Sequence, residues 1–188
     1  MKAYYDSRAP EYDEWYLGTG LFAGRDRPGW EAEIEALSPA KTLDVACGTG
    51  FLTRHLPGEI VGLDQSESML EEARRQAPNA TYVRGDALSL PFEDGSFERI
   101  FIGHFYGHLE EPERETFLRE ARRLAPELVI VDSAIQPDVP AEEWQERMLN
   151  DGTQWEVYKR YLAPEALAAE LGGGSTVFAG RWFVAVHS

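Results

Sequence analysis

The run Lys41-Thr-Leu-Asp-Val-Ala-Cys-Gly-Thr-Gly50 restricts the fold more than any other stretch of this chain. Apolar Leu43 and Val45 alternate with Thr42 and Asp44, and small residues then lead to Gly48 and Gly50. The pattern predicts a buried strand over 41–46 that ends in a tight turn and opens a helix at about Phe51. Glycines suit such a turn because they tolerate positive φ and let a ligand approach the main chain. A Gly-x-Gly step is compatible with several nucleotide-binding folds, so the rest of the chain has to choose among them.

Downstream, strand and helix patterns alternate. A short helix over 51–56 closes at Pro57-Gly58, and Glu59–Leu63 reads as a second strand ending at Asp64. Ser66 can cap a helix reaching Gln76, with Met69, Leu70 and Ala73 on its inner face. Ala80–Arg84 is a third strand, followed by Gly85-Asp86-Ala87, and Phe97–Ile102 is a fourth. A helix after Pro112 carries Phe117, Leu118, Ala121 and Leu124 at helical spacing, and the nearly apolar Glu127–Asp132 is a fifth, central strand. Such alternation implies a parallel sheet covered on both faces.

The flanks differ from this core. Residues 1–27 are polar and aromatic, and Trp30, Ile34 and Leu37 form one buried stripe on a helix begun at Pro28. Residues 133–162 hold Trp144, Trp155, Tyr158 and Tyr161 but no clean strand. Pro164 starts a helix to Leu171, and 175–179 with 181–187 read as a hairpin at one sheet edge. The expectation is a single domain over 1–188: a helical cover over 1–40, a core over 41–132, a lid over 133–162 and a closing helix and hairpin over 163–188.

The net charge of −15 argues against a nucleic-acid partner, which attracts a basic face. No apolar run approaches membrane-span length, and the opening Met-Lys-Ala-Tyr-Tyr-Asp lacks a signal core. One cysteine, Cys47, excludes an internal disulfide. A cytoplasmic protein, monomeric or homodimeric, is expected.

In an open parallel sheet, ligands bind beyond the carboxyl ends of the strands where the strand order reverses. Gly48, Gly50, Asp64, Asp86, His104 and Asp132 all fall at those ends. Asp64 has two readings: it accepts hydrogen bonds from both ribose hydroxyls, or it serves the helix start beside Ser66. Asp86 likewise either receives an adenine amino group, with the Ala87 N–H beside it, or is a turn residue. A nicotinamide cofactor fits less well, because the loop continues Gly48-Thr-Gly50-Phe-Leu and lacks the third glycine that packs helix on strand.

Taken together, Leu43–Gly50, Asp64, Gly85-Asp-Ala87 and Leu90-Pro-Phe-Glu-Asp-Gly-Ser-Phe97 resemble the ordered motifs of class I S-adenosylmethionine-dependent methyltransferases. The leading Tyr5-Asp-Ser-Arg-Ala-Pro-Glu-Tyr-Asp13 is similar to the opening of many small-molecule members. The resemblance covers about 4–132. It implies a Rossmann-like three-layer α/β sandwich with a seven-stranded, mostly parallel sheet and an antiparallel edge strand.

It also implies S-adenosylmethionine as cofactor and a small-molecule methyl acceptor. Ala46, Cys47, Gly48 and Gly50 would wrap the methionine part, Asp64 the ribose, and Gln65 and Met69 the adenine side. Asp86 and Ala87 would bind the adenine edge, and His104 and Phe105 would face the sulfonium and acceptor. Tyr5 and Tyr12 would close over the cofactor. The alternative is a non-catalytic binding or partner subunit of the same fold.

A base is needed only if the acceptor must lose a proton, and His104 and His108 are the candidates, each with a structural hydrogen-bonded role as its alternative. No strong metal-ligand spacing is present, and none is assigned. Cys47 reads as a packing residue rather than a nucleophile. Arg25 and Arg27, with Lys159 and Arg160, either converge on an anionic group of the acceptor or pair with surface acids. Trp144, Trp155 and Tyr158 either line an acceptor pocket or join the core.

Overall fold

The computed structural model of the chain describes residues 2–14 and 27–188. Thr42, Leu43 and Val45 are fully buried in the strand β1, Ala40–Val45, because neighbours pair with it on both sides. Parallel pairing joins β1 to β2, Gly58–Asp64, and to β4, Arg99–Gly103. β3, Thr81–Arg84, lies outside β2, and β5, Glu127–Ser133, lies outside β4. The sheet ends in β9, Phe183–His187, antiparallel to β5, and β8, Ser175–Ala179, antiparallel to β9. The order is thus β3-β2-β1-β4-β5-β9-β8, seven strands of which β9 alone runs against the others. Strand order reverses between β1 and β4, which opens a crevice at their carboxyl ends.

The pleat sorts the core into two layers. Ile100, Ile102, Leu128 and Ile130 point to one face, where Phe117, Ala121 and Leu124 of α4, Glu111–Leu124, cover them. Phe101, Val129 and Val131 point to the other, against Trp30 and Ile34 of α2, Arg27–Glu35. The remaining helices are α1, Lys2–Arg8; α3, Glu67–Gln76; and α5, Pro164–Glu170. Ser66 caps α3 by accepting from the Met69 N–H at 3.2 Å. Among the described residues no helix is long and apolar enough to cross a membrane.

Two expectations change. The helix over 51–56 is only turns and a short 3-10 segment, Thr53–His55. More consequentially, residues 133–162, expected as a lid without a clean strand, contain an antiparallel hairpin: β6, Glu142–Met148, pairs with β7, Gln154–Arg160, as a separate two-stranded sheet. Glu143, Gln145 and Arg147 form the half-buried side of β6, so polar residues occupy both faces. Apolar alternation, the usual strand signal, is therefore missing.

At the amino ends of the strands, the fully buried Arg99 donates to Glu127 at 2.6 Å and to the Ser38 carbonyl at 2.9 Å. His187 also faces Glu127, at 3.1 Å, so one cluster links β4, β5 and β9. Replacing Arg99 by alanine removes the cation from a buried pair, and urea unfolding should show a loss of about 2–4 kcal/mol. A second prediction concerns Asp44, which accepts from the Thr53 hydroxyl at 2.7 Å. Burial pushes its carboxyl up to about 7, with Thr53 opposing and Asp64 reinforcing the rise. From the ordinary carboxylate range to about pH 7 the folded chain keeps a proton that the unfolded chain releases, so stability falls as pH rises. Melting temperature should therefore decline more steeply from pH 5 to 8 in the wild type than in Asp44→Asn; parallel curves would show Asp44 ionised throughout.

Candidate functional site

The crevice above β1 and β4 holds a cavity of about 220 Å³. Its floor begins where β1 ends. Ala46, Gly48 and Gly50 take φ of 57°, 55° and 76°, and His104, just after β4, takes 57°. Positive φ costs a non-glycine residue free energy, so Ala46 and His104 mark places where the surrounding structure holds strained backbone. Gly50 earns its place by packing: a Cβ there would lie 3.0 Å from the Ala73 Cα of α3. The loop thus does press a glycine against a helix, although it lacks the third glycine of the dinucleotide pattern.

Asp64 connects the parts. Its carboxylate accepts from the Gly48 N–H at 3.0 Å and from the Ser66 N–H at 2.9 Å, and it also lines the cavity. Burial raises its pKa, against the lowering effect of the Ser66, Gly48 and Gln65 main-chain groups. Both sequence readings of Asp64 are therefore compatible with its position. Asp86 combines a turn role with a cavity position in the same way: it accepts from the Leu88 N–H at 2.9 Å.

Tyr5, Tyr12, Ala46, Gly48, Asp64, Gln65, Met69, Asp86, Ala87, His104 and Phe105 all line the one cavity. Cys47 and Gly50 do not. The Cys47 sulfur turns toward Gly62 and Tyr82 behind the loop, and burial pushes its thiol pKa well up. Leu88, Leu109 and Glu113 line the cavity without having been singled out.

The leading segment is fastened over the loop by Asp13, which accepts from the Thr49 hydroxyl at 2.6 Å and from the Gln76 amide. The Tyr5 and Tyr12 rings lie 6.3 Å apart, and the Arg8 guanidinium sits 4.9 Å from the Tyr12 ring centroid. Asp13 was visible as the last residue of the opening motif; Arg8 carried no signal.

The two histidines separate. Left-handed backbone at His104 interrupts the chain before a 3-10 turn at Tyr106–His108, so no helix sets them on a common face. His104 lines the cavity, with Trp30 and Phe183 edge-on at 6.2 and 5.0 Å. Burial lowers its pKa to about 4, opposed by Asp132 and helped by Lys159. His108 is buried outside the cavity, and its Nδ1–H donates to the Tyr158 carbonyl at 2.7 Å. Its place is structural.

The described residues expected to meet the acceptor lie away from the cavity. Lys159 is buried and bonded to Asp132 at 2.6 Å, and Arg160 pairs with Glu170. Trp144 is 60% exposed on the outer hairpin face beside Tyr158, at 5.8 Å between ring centres. Trp155 packs on Tyr4 at 5.9 Å. None of these lines the cavity. Arg25 lies outside the described residues, as does the Arg27 side chain. Among the described residues no group of three or more His, Cys, Asp or Glu is placed to hold a metal ion.

Residues 42–127 match a family model described as a methyltransferase domain. A demethylmenaquinone methyltransferase of Lactiplantibacillus plantarum is 33% identical over 156 residues, covering 74% of this chain and 65% of that protein. One of Thermotoga maritima is 36% identical over 128 residues, covering 64% and 54%. The chain spans between about half and two thirds of such relatives. Among solved structures, a DhpI–SAH complex superposes with a TM-score of 0.77 at 25% identity, over 98% of this chain and 92% of that one. A DhpI–SAM–HEP complex gives 0.76 at 23% identity, over 99% and 94%, a likeness of fold. By strand order, loop and matched residues 42–127, the chain carries a methyltransferase domain of the class I S-adenosylmethionine-dependent fold.

Proposed function

We propose that this chain transfers the methyl group of S-adenosylmethionine to an O, N or C atom of a small molecule. The observation that carries the reading is the single cavity that collects the glycine loop, Asp64, the Asp86–Ala87 step and His104. Its donor set fits the cofactor. Asp64 keeps acceptor capacity for ribose hydroxyls beyond its bonds to Gly48 and Ser66. Asp86 and Ala87 flank one side of the cavity, and Met69 and Leu88 supply apolar surface for a base. A Cβ on Gly48 would stand 4.0 Å from the Tyr12 ring, across the space a ligand chain would take.

When bound, the sulfonium supplies an already activated methyl group. The chain's work is then to orient and to exclude water. Tyr5 and Tyr12 cover the cavity from the leading segment, while His104 and Phe105 form the wall at the end of β4. With its pKa near 4, His104 is a neutral imidazole at ordinary pH, free of positive charge that would oppose a cationic cofactor. A base with so low a pKa accepts protons weakly, which favours its serving to position the acceptor rather than to deprotonate it.

The relatives named for demethylmenaquinone support a small-molecule acceptor, and the net charge of −15 weighs against nucleic acid. A cytoplasmic setting, a monomeric or homodimeric state, and the division into cover, core, lid and closing hairpin belong to the same proposal. The direct test is a metabolite panel read by formation of S-adenosylhomocysteine. Cofactor binding in calorimetry without turnover on any acceptor would favour the non-catalytic alternative. Asp64→Asn should weaken S-adenosylmethionine binding by about tenfold or more, through loss of charge-assisted hydrogen bonds. Unchanged affinity in a normally folded variant would place the ribose elsewhere.

A further inference from the structure

Among the described lid cations, Arg147 is the one without a carboxylate partner. It stands on the half-buried side of β6, directly opposite Trp155. The Gln145 side-chain oxygen accepts from its Nε at 3.2 Å and its Nη2 at 2.8 Å, while Nη1 reaches the Tyr4 hydroxyl at 3.4 Å. Gln145 is itself held, donating to Glu143 at 2.7 Å and to the Tyr161 hydroxyl at 2.9 Å. The guanidinium is thus aimed by neutral partners. Among the described residues no carboxylate lies within salt-bridge distance of it, whereas Lys159 and Arg160 on β7 are neutralised by Asp132 and Glu170.

Arg147 does not itself line the cavity; it stands behind Tyr4, one ring removed from the wall. The Tyr4 and Tyr5 rings meet at 4.9 Å, and Tyr5 lines the cavity wall. β7 packs on the turn that follows His104, through the bond from His108 to the Tyr158 carbonyl. Arg147 is near enough to both sides for its charge to bias the ionisation of Tyr5 and of His108. A chain with 33 acidic and 18 basic residues has carboxylates to spare for neutralising a half-buried arginine. Leaving it uncompensated costs desolvation that a surface arginine would not incur. The same acidic excess repels anions at long range, so an anionic acceptor needs a local cation to be held.

We propose that Arg147 is the specificity residue for the acceptor, and that the acceptor carries an anionic group, a carboxylate or a phosphoryl oxygen set. The inference rests on the methyl-transfer reading and names its substrate class. Gln145 occupies one edge of the guanidinium and leaves N–H groups of Nη1 and Nη2 for two parallel bonds to such a group. The methylated atom would lie on the cavity side of that anchor, past Tyr5.

The test has two arms on the full chain, each run with cofactor bound. In the first, benzoate and inorganic phosphate are titrated by calorimetry into protein saturated with S-adenosylhomocysteine. Binding of either to the wild type, weakened at least about tenfold in Arg147→Gln and partly recovered in Arg147→Lys, supports the proposal. No binding of either probe, or equal binding in all three proteins, overturns it. In the second arm, paired acceptors that differ only in charge are compared by S-adenosylhomocysteine formation: 4-hydroxybenzoate with 4-hydroxybenzyl alcohol, and O-phosphoethanolamine with ethanolamine. Turnover of the charged member, with KM raised in Arg147→Gln and kcat nearly kept, supports it; preference for the neutral member overturns it. Affinity for S-adenosylmethionine, measured on the same proteins, keeps the two failures apart: if the cofactor does not bind, the methyl-transfer reading has failed, and if it binds normally, only the anion anchor has. Thermal unfolding of both variants shows whether the hairpin survives, and Arg147→Lys serves if the glutamine variant does not fold.

Discussion

The bonds from the Gly48 and Ser66 N–H groups to the Asp64 carboxylate hold the site together. One side chain at the end of β2 thereby secures the loop after β1 and the first turn of α3. The loop's residues at positive φ are bent away from regular pairing, and its main chain adds a bond from the Cys47 N–H to the Leu63 carbonyl at 3.0 Å. Gly50 against Ala73 adds a steric contact at the same joint, and Asp13 adds a third from the leading segment through Thr49 and Gln76. A carboxylate suits this position because it accepts several donors at once and keeps lone pairs for a ligand. The cost is burial, which shows in its raised pKa.

A second buried carboxylate organises the other side. Asp132, at the end of β5, accepts from Lys159 at 2.6 Å and from the Gly107 N–H at 2.8 Å. Against the desolvation that would raise it, the Lys159 ammonium, with His104 and His108 nearby, holds the Asp132 carboxyl below its usual range, to about 2. The pair fastens the β6–β7 hairpin to the sheet and to the turn after His104. Lys159 is thus spent within the scaffold, and the proposed acceptor anchor is Arg147, whose partners are neutral. A two-stranded ribbon is weak alone; this buried pair and the cluster of Tyr4, Leu149 and Val157 make it part of the molecule.

What was legible depended on how local the cause was. The five parallel strands were legible because burial on both faces leaves continuous apolar runs such as Leu128–Val131. Most of the cavity was legible because motif residues at successive strand ends must converge when parallel strands align. Cys47 and Gly50 lie off the main cavity, Cys47 lining a smaller hollow with Tyr12, Ala46 and Gly48, because neighbouring residues in a loop point to different sides and the order of residues does not say which. The hairpin was hidden by its composition: Glu142, Glu143, Gln145, Glu146 and Arg147 show no apolar face. His104 and His108 looked like a pair until one left-handed residue turned them apart.

The chain's own order of residues thus determined the alternating α/β architecture, the strand bearing the glycine loop, and the acidic residues at the strand ends, because these follow from periodicity and backbone preference within short windows. Tertiary structure alone decided which charges are spent on each other. Lys159 lies 27 residues from Asp132, and Arg160 lies 10 from Glu170. Only folding shows that these are paired and that, among the described residues, Arg147 has no carboxylate partner. Charge pairing depends on distances between side chains brought from separate elements, and no local pattern encodes those distances.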